Sequence, residues 1–317
     1  MQIDGVGIDN AVSEAYDLVG TRVQITADSL ELACAAATNL TGFATSIAAC
    51  GCEAGIEGPM RNEAGPNAAG PGMPTPDGRP GVAALFFASS QENLRAQLAA
   101  RIGQSVMSCP TSACYNGLES ETQISVGTDL RLFGDGWQSG IALEGNRYWR
   151  IPVMDGEFVV EAAFGCTDGI GGANFVICGE TLDAALRAGR DAVGAISKVA
   201  GVILPYPSGM HRSGLRIGSR YKSQPVSTCA SFCPALRGQA ESSLPDGAHA
   251  AVQVVVSGLG IECVEDALRA GIAAACRGHG ILRITAVNHD GKIGPHRLEL
   301  HRVMQPPGSD ASNEEGS

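Results

Sequence analysis

The sequence predicts an α+β protein of two ferredoxin-like (split β-α-β) lobes with an inserted β segment between them. Two observations carry this. Each half of the 317 residues repeats a short apolar strand, an Ala/Leu-rich helix and a second short strand, twice over, and a doubled β-α-β unit places helices on one face of an antiparallel sheet. Glycine numbers 42, about twice its usual share of roughly 7%, which indicates many tight turns and close backbone approaches rather than long regular helices. At roughly 100–200 residues per domain the length suits one large domain or two moderate ones. A hydrophobic content of 44% can form cores without disulfide staples.

Taken in order, Arg22–Thr26 alternates like a strand, Ser29–Leu40 has helical spacing with Ser29 as N-cap, and Gly42–Cys50 returns as a strand. Residues Gly55–Gly81 are so rich in Gly and Pro that they predict a long exposed loop. Val82–Ala88 predicts a strand, Gln91–Arg101 a helix and Gln104–Ser108 a strand, which completes the first lobe (1–150). Gln123–Phe164 predicts extra strands joined by Gly-containing turns. The second lobe (151–304) restates the pattern: strand Asn174–Cys178, helix Thr181–Val199, a strand Val202–Pro205 stopped by proline, strand Ala251–Ser257, helix Glu262–Cys276 and strand Ile281–Val287. The acidic, polar tail Gln305–Ser317 predicts disorder.

Composition excludes several functions. A net charge of -11 argues against a general nucleic-acid binder, which needs a basic surface. The start, MQIDGVGIDN, lacks the charged and apolar regions of a secretory signal, and no apolar run reaches the roughly 18–20 residues of a membrane span. A cytoplasmic protein without membrane or nucleic-acid partners is therefore expected, its 11 cysteines acting as small hydrophobes. The close pairs Cys50/Cys52 and Cys229/Cys233 lack the four-ligand spacing of a structural zinc site, so no metal is expected. The six histidines show no H-x-x-x-H spacing and are expected at the surface or an interface.

The glycines and polar residues at strand ends fall in ordered blocks. These are TGFATS (Thr41–Ser46), CEAGIE (Cys52–Glu57), TPDGRPG (Thr75–Gly81), RIGQSVM (Arg101–Met107), FGDG (Phe133–Gly136), RIPVMDGEF (Arg150–Phe158), PYPSG (Pro205–Gly209), IGSRY (Ile217–Tyr221) and GKIGP (Gly291–Pro295). Together they resemble the formylmethanofuran:tetrahydromethanopterin formyltransferase family over nearly the whole chain, closest to the bacterial branch that resembles a subunit of a formyltransferase/hydrolase complex in formaldehyde oxidation. The resemblance implies two similar α+β lobes, a homo-oligomer (dimer or tetramer), and no permanently bound cofactor. Tetrahydromethanopterin and methanofuran are the implied cosubstrates. The implied reaction moves a formyl group between a pterin nitrogen and a primary amine, so the protein has to align two nitrogens, stabilise a tetrahedral oxyanion and move protons.

The resemblance also implies site residues, with departures. Gln253 stands where the family has a glutamate implicated in proton handling; its amide can donate to an oxyanion but cannot exchange a proton. The family's Ser-Thr-Asn-Asp stretch is Ser227-Thr228-Cys229-Ala230 here, and its Gly-Asn-aromatic-Gly-Gly-Lys turn is Val287-Asn288-His289-Asp290-Gly291-Lys292, which keeps Asn288 and Lys292. Family position further implies substrate binding by Thr41, Phe43, Thr45 and Ser46, and by Asn174 after Gly171-Gly172. Arg79, flanked by Gly78 and Pro80, either holds an anionic cosubstrate group or fixes its own loop through Asp77. Arg212, Arg216, Arg220 and Lys222 form a basic stretch suited to an anionic ligand tail or acidic partner, or a solvated face. The function expected is an acyltransferase of one-carbon metabolism; the alternative is an inactive formyltransferase-like scaffold subunit.

Overall fold

The computed structural model describes residues 1–60, 74–143, 145–224, 226–289 and 291–305. Its first long strand, β1 (Val12–Thr26), has 15 residues and serves both lobes: Ala15 enters one core, Val23 and Ile25 the other. Only Arg22–Thr26 is expected from sequence, because Glu14, Tyr16 and Asp17 interrupt the apolar alternation of the first half. Helix α1 (Leu30–Thr41) starts at Ser29, whose hydroxyl accepts the Leu32 N–H at 3.2 Å, a cap contributing about 1 kcal/mol. Ala33, Ala36, Ala37 and Leu40 form its buried stripe.

Two expected strands are corrected here. Within Gly42–Cys50 only Thr45–Ser46 is extended, and Ile47–Cys50 is a helical turn capped by Ser46. The strand is β2 (Cys52–Pro59), which takes up the start of the expected loop 55–81; residues 61–73 of that loop lie outside the described residues. After β3 (Gly81–Ala88) and α2 (Gln91–Arg101), the expected strand Gln104–Ser108 is instead a π-type turn, Ile102–Val106, continuing α2. Leu94, Leu98, Ile102 and Val106 are fully buried, and their four-residue spacing is a helical period. Strand β4 (Ala113–Asn116) follows.

The sheet order β4-β1-β3-β2, with antiparallel neighbours throughout, is that of a split β-α-β unit. The inserted segment adds β5 (Ser139–Leu143), β6 (Asn146–Val153) and β7 (Gly156–Glu161) beyond β4, with β7 parallel to it. The sequence boundary at 150/151 thus falls inside β6, and the insertion extends the first lobe's sheet.

The second lobe consists of β8 (Thr167–Gly179), α3 (Leu182–Ile196), β9 (Val202–Ile203), β10 (Ala250–Gly258), α4 (Ile261–Cys276) and β11 (Ile281–Thr285). Its order, β11-β8-β10-β9, repeats the first. Strands β1 and β8 pair from Thr167↔Gly20 to Gly171↔Tyr16, so one sheet runs through both lobes. Residues 306–317 of the expected tail lie outside the described residues. Among the described residues no helix is long and apolar enough to cross a membrane.

A second junction comes from the alternation of β2. Cys52 and Ala54 face the helices, while Glu53, Gly55 and Glu57 face the second lobe. Ser257 Oγ donates to Glu53 at 2.6 Å, and the Gly201 N–H donates to Glu57 at 2.6 Å. Between them, a Cβ on Gly55 would lie 2.9 Å from Ile203 Cβ. Gly55→Val is therefore expected to wedge the lobes apart at a cost of about 1–3 kcal/mol, read as a lower urea midpoint; an unchanged midpoint would show that the seam yields freely.

Candidate active site in the cleft between the lobes

The helix-free face of the shared sheet opens into a cleft of about 480 Å³. Because alternate residues of a strand face one side, β1 contributes Glu14, Tyr16 and Leu18, β8 contributes Gly172 and Asn174, and β10 contributes Gln253 and Val255. Ser46, Ile47, Glu53, Tyr206 and His211 add to the lining.

Glu53 is 2% exposed. Its carboxylate accepts the Tyr16 hydroxyl at 2.6 Å and the Ser257 hydroxyl at 2.6 Å. Burial pushes its pKa above the ordinary carboxylate value, and the hydrogen bonds from Ser257, Tyr16 and the Ile47 backbone oppose this only in part. The same burial, with the Glu53 charge beside it, holds the Tyr16 phenol well above its usual pKa. Tyr16 fits because Gly171 and Gly172 lack side chains. A Cβ on Gly172 would lie 2.4 Å from the tyrosine ring, and its φ of +82° suits glycine. The glycine pair is thus a bulge within β8, where register shifts between Ile170 and Ala173. Bulges re-aim the residues beyond them, here Asn174.

Asn174 is bonded in every direction. Its Oδ1 accepts the Val287 N–H at 3.0 Å and Gln253 Nε2 at 2.9 Å, while its Nδ2 donates to the carbonyls of Gly172 and Val287, each at 3.3 Å. The Val287 N–H can only donate, which sets the orientation of both amides. Gln253 therefore has one N–H committed, and its Oε1 is buried without a partner. The group expected as an oxyanion donor presents an unmatched acceptor instead. Glu14 Oε2, buried beneath the turn whose Gly291 N–H reaches Glu14 Oε1, is a second. Unmatched buried acceptors cost about 1–3 kcal/mol each, and both suit the N–H donors of an amine ligand. His211 bonds to Gln253 through paired backbone groups and stacks on Tyr206 at 4.0 Å; burial lowers its pKa, opposed in part by an interaction with the Gln253 side chain, favouring the neutral ring.

The cleft brings together Ser46, Asn174 and Gln253 of the residues assigned from sequence. Thr45, half-buried, is extended next to Ser46. Thr41 ends α1 with its hydroxyl on the Ala37 carbonyl at 2.9 Å, and Phe43 projects 80% exposed; neither lines the cleft. Arg79 lies in a separate depression with Asp28, Thr111 and Asp155, bonded to Asp77 at 2.9 Å and to Thr26 at 3.2 Å. Ser227 and Thr228 donate to the carbonyls of Gly218 and Ser213, both at 2.8 Å. They line a groove of about 660 Å³ with Arg216 and Arg220, which shares Ile217 with the cleft. Asn288 and Lys292 are exposed on the turn whose His289 and Ile293 line the cleft.

Tyr16, Glu53 and His211 are cleft residues that sequence reasoning missed. Glu53 carried a signal, a charge at an alternating strand position in the CEAGIE block; Tyr16 and His211 carried none.

Two ferredoxin-like lobes sharing one sheet, with a largely apolar cleft carrying a few polar groups on its helix-free face at their junction, define a two-lobed α+β protein whose candidate ligand site is built jointly by both lobes. The profile described as formylmethanofuran-tetrahydromethanopterin formyltransferase matches residues 1–153, and the one described as FTR, proximal lobe, matches 156–303. The chain belongs to this formyltransferase family. It is 45% identical over 311 residues to the formylmethanofuran–tetrahydromethanopterin formyltransferase of Methylobacillus flagellatus, covering 96% of this chain and 100% of that one. The formylmethanofuran:tetrahydromethanopterin formyltransferase structure from Methanosarcina barkeri superposes with a TM-score of 0.87 at 38% identity, covering 96% and 100%. The formyltransferase/hydrolase complex from Methylorubrum extorquens, solved with methylofuran, matches with a TM-score of 0.89 at 38% identity, covering 97% and 99%.

Proposed function

We propose that this chain transfers a formyl group between tetrahydromethanopterin and methanofuran, or close variants of them, as a subunit of a formyltransferase/hydrolase complex. The observation that carries the reading is the cleft itself: a largely apolar site with a few inward polar groups, assembled by both lobes in a chain that matches formyltransferases along nearly its full length. The nucleophile is a substrate amine, so the chain's task is to hold two nitrogens about one formyl carbon. Gln253 and Glu14 line the cleft and are polar groups suited to meeting an amine there. The adjoining groove with Arg216 and Arg220 suits anionic tails on the cosubstrates, against the chain's net charge of -11.

Partnership with hydrolase subunits is supported by the complex in which the Methylorubrum relative is found. The test is formyl exchange between the two cosubstrates, followed with the purified chain alone and with its hydrolase partners. Exchange in at least one preparation is expected. Its absence in both would leave the scaffold reading in place.

A further inference from the structure

We infer that Glu53 is a further catalytic residue, whose carboxylate takes a proton from the attacking amine and returns it to the leaving nitrogen. The inference rests on the formyl-transfer reading. In that reaction the attacking amine adds to the formyl carbon and the carbonyl becomes a tetrahedral oxyanion. The attacking nitrogen must then lose a proton, and the departing nitrogen must gain one as its C–N bond breaks. One carboxylate serving both steps leaves no net proton and needs no other reactant.

Gln253 cannot do this, because an amide does not exchange a proton in this range. Three carboxylates line the cleft. Asp17 is bonded to His296 at 2.6 Å, and its side chain is 72% exposed, so it is turned mainly to water. Glu14 lies beneath the Gly291 turn. Glu53 alone is held on two sides by hydroxyls from both lobes, Tyr16 on β1 and Ser257 on β10. Its two oxygens accept from Tyr16, Ser257 and the Ile47 backbone, and of the roughly four acceptor sites of a carboxylate one is left for a proton. Ser257 shares the face of β10 that carries Gln253 and Val255, which puts the Glu53 carboxyl beside the surface where the unmatched amide oxygen lies.

The surroundings suit a base working near neutral pH. Burial moves Glu53 upward, toward the range where a general base is most effective. Of the titratable groups around it, Tyr206 is pushed up to about 12, Tyr16 lies well above its usual value and His211 is lowered. Burial raises the nearby Cys50 thiol, but hydrogen bonds around Thr45 and Ser46 outweigh it and bring the thiol below its usual value. Glu14, Asp17 and His289 complete the titratable lining.

The experiment is steady-state formyl exchange across pH with the intact protein in the preparation that is active. Glu53→Gln keeps the size of the side chain and partners for Tyr16 and Ser257, and should lower kcat by about 10²–10³-fold, with both KM values changed less than about threefold. It should also abolish the acid limb of the profile, which falls where Glu53 protonates. Ser257→Ala keeps the carboxylate but removes a donor to its charged form, so the acid limb should move to higher pH. A kcat within about threefold of wild type in Glu53→Gln would overturn the assignment. So would an acid limb that persists in Glu53→Gln, or one that stays in place in Ser257→Ala, the latter deciding the matter if Glu53→Gln does not fold. Absence of exchange in the unmodified protein would overturn the formyl-transfer reading itself, a different result from any of these.

Discussion

Replacing Glu57 by alanine is expected to remove about 3–5 kcal/mol of stability, the cost of leaving a buried charge unpaired. Arg22 Nε and Nη2 grip the Glu57 carboxylate at 2.6 and 2.7 Å, with side chains 12% and 2% exposed. The fork geometry makes this a bidentate pair rather than a point contact. Glu57 Oε1 also accepts the Gly201 N–H from the second lobe, so one side chain closes a charge pair within a lobe and a hydrogen bond between lobes. Alanine would strand the Arg22 guanidinium, whose remaining contact is the Gly117 carbonyl at 3.5 Å. Urea denaturation followed by circular dichroism measures the loss. The double variant Arg22→Met/Glu57→Leu should recover most of it, since replacing both partners removes the unpaired charge. A single variant within about 1 kcal/mol of wild type would place the pair in the class of surface ion pairs.

Glu57 also shows what was legible in the chain and what was not. The doubled split β-α-β pattern is visible because both helical stripes and most strands alternate against apolar cores. β2 was displaced because the residues alternating with Cys52, Ala54 and Ile56 are Glu53, Gly55 and Glu57, which resemble loop chemistry until the facing lobe is present to receive them. The first half of β1 was missed for the same reason: Glu14, Tyr16 and Asp17 face a cleft, and strand periodicity assumes that the polar face meets bulk water. The π-type turn at Ile102–Val106 was mistaken for a strand although its four-residue spacing was available.

The candidate site was legible in part. Gln253, inside β10, Asn174, just past the β8 bulge, and Ser46, at the end of a short strand, meet in the cleft because the fold brings their strands together. Arg79, prominent in sequence between Gly78 and Pro80, has its guanidinium engaged by Asp77, Asp28 and the Thr111 carbonyl. Motif position alone could not separate that loop brace from a ligand contact. Glu53 needed the other lobe to become visible, because its meaning comes from Ser257, 204 residues away in sequence.

Asn174→Asp is expected to cost about 3–5 kcal/mol at pH 7, because it buries an uncompensated charge. The side chain is 3% exposed. One carboxylate oxygen would keep the donors that now serve Oδ1, the Val287 N–H and the Gln253 amide. The other would replace Nδ2 opposite the carbonyls of Gly172 and Val287, setting acceptor against acceptor. Both effects favour the protonated acid, so the folded-state pKa rises above the unfolded value of about 3.9. For a group raised on folding, the favourable contribution is complete below the unfolded pKa and is lost as pH rises through the folded one. The stability gap between variant and wild type should therefore narrow as pH falls toward about 4 and widen toward neutrality. Chemical denaturation at a series of pH values reads this directly. The protonated aspartic acid can again donate to a carbonyl, which relieves the opposed acceptors. A gap independent of pH would mean that the new carboxylate reaches water, and the orientation of Gln253 could then no longer be attributed to Asn174.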